Sequence, residues 1–81
     1  MKVFCNICLG NYMQNVSIID DKGLVGVEQV PTPELSVYFA ALKDKNVDTV
    51  TLRGPEVFIK KIQEETEYQI EDKTINFILQ S

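Results

Sequence analysis

Residues 2–9, KVFCNICL, are almost continuously apolar, and this run constrains the fold more than any other feature of the chain. In an extended strand, alternate side chains point to opposite faces. Val3, Cys5, Ile7 and Leu9 then share one face, and Phe4, Asn6 and Cys8 the other. A strand that is apolar on both faces is predicted to lie in the centre of a sheet, covered on both sides. Gly10-Asn11 reads as a hairpin turn, followed by a second strand from Tyr12 to Asp20. The tetrad DDKG at 20–23 is a turn, because Asp side chains cap local amides and Gly23 accepts positive φ. A third strand follows from Leu24 to Val30, completing an antiparallel meander.

The stretch PTPE at 31–34 switches the periodicity. Thr32 suits an N-cap, Pro33 the first helical position and Glu34 the positive helix end. Leu35, Tyr38, Phe39 and Leu42 recur at helical spacing, and Asn46 is a stop signal. Val47 to Leu52 reads as a strand. Gly54-Pro55 opens a second helix with Phe58, Ile59 and Ile62 inward. Tyr68 to Ile70, a polar turn Glu71–Lys73 and Thr74 to Leu79 are predicted to give one or two further strands.

The predicted order is β-β-β-α-β-α-β in a single domain spanning 1–81, of class α/β or α+β, with a mixed sheet of five to six strands. If the first strand is central and crossovers are short, the fourth lies beside it, and the strand order becomes 3-2-1-4-5.

That order, with the stretch ICLGNYMQNVSIIDDKG, resembles the RNase H-like fold of ribonucleases H, Holliday resolvases and actin-like ATPases. In the actin-like sugar kinases the first phosphate loop reads roughly D-x-G-x-T/S. Gly10 matches its glycine, Asp20 to Gly23 match the following acidic turn, and Cys8 stands where the metal-organising aspartate would be. Two-metal nucleases of that fold need carboxylates converging on two ions about 4 Å apart. Here the first strand carries no acid, Asp48 opens the fourth strand at the wrong end, and Arg53 closes it. With those departures the chain reads as a catalytically empty member of that fold, or as an independent arrival at the same topology.

The residue inventory points the same way. With two Cys and no His, one chain cannot close a four-ligand structural zinc site. Redox Cys-x-x-Cys pairs sit at helix N-termini, whereas three residues apart on a strand the thiols point to opposite faces. Core packing is the reading preferred for Cys5 and Cys8, over a zinc shared across a dimer and over redox work. Without His the commonest general base is missing, and no phosphate-loop or dinucleotide fingerprint is present. No catalytic, metal or cofactor-binding residues are assigned, and the expectation is a protein that is not an enzyme.

Charge narrows the partners. Up to Gln63 seven acids balance seven bases, so the net charge of −4 arises from Glu64, Glu65, Glu67, Glu71 and Asp72 against Lys73. Nucleic-acid binding feeds on clustered Lys and Arg, and is disfavoured here. No apolar run approaches the roughly 18 residues of a membrane span, and a secretory leader is not recognisable, so a cytoplasmic protein is expected.

Three functions remain. The first is a small protein-interaction module, self-associating as a homodimer through the bare apolar edge Ile75, Phe77, Ile78 and Leu79. The second is a binder of a small anionic or phosphate-bearing ligand at Gly10, Asn11, Arg53 and Gly54, where the second helix begins. The third is an acidic inhibitor or accessory protein, of the kind carried by mobile elements, that acts on a basic protein.

Overall fold

The computed structural model describes residues 1–70 and 75–81. Strands β1 (Lys2–Asn6), β2 (Met13–Asp20) and β3 (Gly23–Pro31) form the meander. A 3-10 turn at Thr32–Glu34 leads into helix α1 (Leu35–Leu42). Strand β4 (Thr49–Arg53), helix α2 (Glu56–Gln69) and strand β5 (Asn76–Gln80) complete the chain. The sheet has five strands in the order β3-β2-β1-β4-β5. β1 pairs antiparallel with β2 and parallel with β4, and β4 pairs parallel with β5. The predicted strand order is therefore found.

Several boundaries differ, each for a physical reason. β1 stops at Asn6, opposite Arg53, because its partner β4 ends there. Ile7 stays buried, but Cys8 and Leu9 lie beyond the strand and are exposed. Gly10-Asn11 is not a two-residue hairpin turn; it belongs to the longer connection 7–12. Tyr68 and Gln69 continue α2 rather than starting a strand, so the sheet has no sixth strand from that segment. The predicted turn at 71–73 and Thr74 lie outside the described residues.

The larger correction concerns the layers. α1 and α2 pack on each other and on the same sheet face, which carries Val3, Cys5, Val16, Val30, Val50 and Leu52. Leu35, Phe39, Leu42, Ile59 and Ile62 close that core from the helices. The central strand is thus covered on one side only. The chain steps in one direction across the sheet from β3 to β4 and from β4 to β5. Right-handed crossovers that step in one direction place both helices on one face.

Thr32 does not cap α1. Its hydroxyl donates to the Tyr12 carbonyl at 2.8 Å, and its amide donates to the same oxygen at 2.7 Å. Asn46 does end the helical segment, in the left-handed conformation at φ 63°. Within α2, buried Ile59, Ile62 and Thr66 fall on one stripe, and the Thr66 hydroxyl donates to the Ile62 carbonyl at 2.7 Å.

The connection 7–12 is held by a residue that sequence reading passed over. Gln14 is 2% exposed on the helix-side face of β2. Its Oε1 accepts from the Cys8 amide at 2.9 Å. Its Nε2 donates to the Cys8 carbonyl at 2.9 Å, the Asn11 carbonyl at 3.1 Å and Thr32 Oγ1 at 3.0 Å. One buried amide thereby ties the β1–β2 connection to the start of the helical layer. Its signal was a polar residue in phase with inward-facing Val16 and Ile18.

The two cysteines consequently differ. Burial pushes the Cys5 thiol up to about 11, with the Cys8 charge adding to the rise, while Cys8 is exposed. A thiol reagent at mildly alkaline pH is expected to modify Cys8 rapidly and Cys5 only on unfolding, since thiolate is the reactive form. Mass spectrometry of the labelled peptides checks this, and equal labelling of both in native protein would contradict it.

Candidate functional site

The carboxyl ends of β1 and β4 come together as the ligand-site reading requires, but the backbone amides of Ile7 and Gly54 there are already bonded within the sheet. The Ile7 amide donates to the Arg53 carbonyl at 2.7 Å, and the Gly54 amide donates to the Gln80 carbonyl at 3.0 Å. Gly54 adopts φ +156°, and a Cβ on it would lie 3.0 Å from the Ile7 Cβ. This glycine serves the close passage of the chain over Ile7, not a ligand cradle.

The start of α2 holds its own acid. Glu56 lies in the first turn and pairs with Lys60 at 2.9 Å, which draws the Glu56 carboxyl below its ordinary range and raises Lys60. Arg53 sits in the exposed row Asn6, Arg53, Gln80 on the open sheet face. Gly10 and Asn11 are exposed on the 7–12 connection, where the Asn11 amide donates to the Cys8 carbonyl at 3.1 Å. No hydrogen bond among the described residues joins that pair to Arg53 or Gly54.

Replacing Gly54 with Ala is expected to destabilise the fold by about 1–3 kcal/mol, through strained backbone and a Cβ clash with another Cβ. Gly10→Ala, with open space around its Cα, should change stability by less than about 0.5 kcal/mol. Chemical denaturation midpoints compare the two, and equal midpoints would contradict this role for Gly54.

The shallow cleft between the helices is lined by Ser36, Glu64, Glu65, Tyr68 and Gln69 and holds about 400 Å³. Gln69 Nε2 donates across it to Ser36 Oγ at 3.3 Å. Its ionisable groups are two carboxylates and a phenol on an exposed rim, with no base set against a nucleophile. Among the described residues no group of three His, Cys, Asp or Glu side chains could hold a metal ion. No described helix is long and apolar enough to cross a membrane.

The distal sheet edge is different. β5 runs parallel to β4, with Asn76 opposite Thr49, Ile78 opposite Thr51 and Gln80 opposite Arg53. The Asn76 amide donates to the Asp48 carbonyl at 2.8 Å, and the Gln80 carbonyl accepts from Gly54. In a parallel strand the groups of alternate residues face alternate sides. Asn76, Ile78 and Gln80 therefore bond inward to β4, and Phe77 and Leu79 turn their N–H and C=O groups outward. Among the described residues, no strand pairs with that outer side.

The side chains at this edge divide by face. Phe77 and Leu79 are half-buried against the core, and Ile78 is 43% exposed on the open face. Ile75, expected at the same edge, is buried just before the strand begins. The open face carries the row Val27, Ser17, Phe4, Thr51, Ile78, read across all five strands.

The opposite edge, β3, is guarded. It carries Glu28, ends at Pro31, and slips register against β2 at Val25, which is skipped between the pairs Ile18–Gly26 and Ile19–Leu24. Charge, proline and irregular register all discourage edge pairing. Between Asn76 and Gln80 none of these devices is present.

No protein-family model, curated protein or solved structure matches this chain.

Proposed function

We propose that this chain is a small non-enzymatic protein-interaction module that self-associates through β5, built on a degenerate RNase H-like frame. The observation that carries the reading is the contrast between the two sheet edges. β3 has three features that oppose pairing, whereas β5 offers outward amides and carbonyls flanked by apolar side chains. An edge of that kind is a template for another strand. The chain's size adds to the argument, because a domain near 80 residues hides only about 60% of its unfolded surface and gains from association. The frame assignment rests on the strand order and on the two helical crossovers.

Binding of a small anion at Arg53 and Gly54 is less well supported, since the Gly54 amide is taken and Glu56 occupies the first turn of α2. The acidic-inhibitor reading has no geometric feature in its favour beyond the exposed acids of α2. Sedimentation equilibrium of the unmodified chain tests the proposal. A concentration-dependent dimer is expected, and a monomer persisting at high micromolar concentration would overturn it.

A further inference from the structure

We infer that the partner on β5 is a second copy of this chain, paired antiparallel about a two-fold axis passing through Ile78. The inference rests on the self-association reading above and adds to it the symmetry and the register.

The strand reads Asn76-Phe77-Ile78-Leu79-Gln80: amide, apolar, Ile, apolar, amide. Reversed, it presents the same chemistry at every position. A two-fold axis at Ile78 sets Asn76 opposite the partner's Gln80, Phe77 opposite the partner's Leu79, and Ile78 opposite the partner's Ile78. A closed two-fold interface needs this self-complementarity, since one patch must serve both subunits. Pairing β5 with the partner's β3 would instead be head-to-tail and would leave further edges open to growth.

The backbone selects the same register. Phe77 and Leu79 are the residues whose amide and carbonyl face outward, and an antiparallel bonded pair exchanges both groups between directly opposed residues. With the axis at Ile78, each Phe77 meets the partner's Leu79, and all four outward groups of each strand are bonded. Moving the axis to Phe77 or Leu79 sets one of those residues against a position outside β5. The half-buried Phe77 and Leu79 side chains then continue each core into the next on the helix side. The two Ile78 side chains meet on the open face as a non-bonded pair, with Cα atoms about 4.5 Å apart.

That spacing falls within the range a disulfide spans. The test is cross-linking of Ile78→Cys in a Cys8→Ser background, which removes the exposed native thiol. Asn76→Cys in the same background is the comparison, since Asn76 shares the face of Ile78 but lies two residues from the axis. Both positions are exposed, so neither variant disturbs the core. After mild copper–phenanthroline oxidation, Ile78→Cys should form covalent dimer about tenfold faster than Asn76→Cys, because only the former meets the distance limit.

Sedimentation of the Cys8→Ser chain is read alongside. A dimer in which Ile78→Cys does not link, or links no faster than Asn76→Cys, would overturn this register while leaving self-association standing. A monomer would overturn both.

Discussion

Ile78→Lys is expected to convert the dimer to a monomer without unfolding the chain. Ile78 is already 43% exposed on an edge strand, where lysine is a common resident, so the subunit itself loses little. In the dimer the substitution sets two ammonium groups against each other across the axis. Their repulsion amounts to about 1 kcal/mol in a hydrated setting. The lost isoleucine pair and its apolar burial add about 1–2 kcal/mol. Together these weaken association roughly 30- to 150-fold. Val27→Lys is the matched control, because Val27 is exposed on the same face at the opposite edge, in β3. It should leave the dimer intact, as read by sedimentation equilibrium with circular dichroism to check folding. Dissociation by Val27→Lys, with Ile78→Lys still dimeric, would move the interface to the other edge.

Phe39→Ala is expected to produce the largest loss of stability among single truncations. Phe39 is fully buried in α1, meets Tyr38 edge to face at a centroid distance of 5.8 Å, and anchors the helical layer on the sheet. Truncating such a residue costs about 3–5 kcal/mol, in a domain whose whole stability is about 5–15 kcal/mol. The melting temperature should fall by about 15–30 °C, measured by thermal circular dichroism. A fall of only a few degrees would mean that the core is not organised around α1.

The fold was legible where local signals and partner constraints agreed. The two-sided apolarity of KVFCN placed β1 in the centre, and Gly23, Asn46 and the Gly54-Pro55 step marked element ends that the structure retains. Legibility failed where an element's end is set by a neighbour. Nothing local stops a strand at Asn6 in an apolar run that continues through Leu9; the end of β4 does. Tyr68 and Gln69 read as strand because of Tyr68 and Ile70. The polar helix-forming residues before them, however, carry α2 through without a Gly or Pro break. The bare face of the sheet was likewise invisible in composition, since Phe4 and Ile19 are apolar whether or not a helix covers them. Crossover handedness was applied to the order of the strands, but not to the side on which the two helices lie.

The candidate site shows the same division. Phe77, Ile78 and Leu79 were identified from apolarity without protective residues, and the structure leaves them on an outer strand. Ile75 belongs to the same apolar run and shares the core-facing phase of Phe77 and Leu79; it lies just before the strand and is buried in the core. Arg53 and Gly54 fit a ligand site by position, but the hydrogen bond to Gln80 and the contact with Ile7 depend on where β5 and the 7–12 connection travel. Sequence spacing does not encode those paths.

Amide hydrogen exchange at Phe77 and Leu79 tests the central claim most directly. In a single subunit both amides face outward from the sheet edge and have no acceptor among the described residues, so they exchange rapidly. In the dimer they are bonded to the partner's Leu79 and Phe77. Both are predicted to be protected at high micromolar concentration, and to lose that protection together on dilution or on Ile78→Lys substitution, while the Ile78 amide, bonded to β4, stays protected throughout. Rapid exchange of Phe77 and Leu79 at every concentration would contradict self-association through β5.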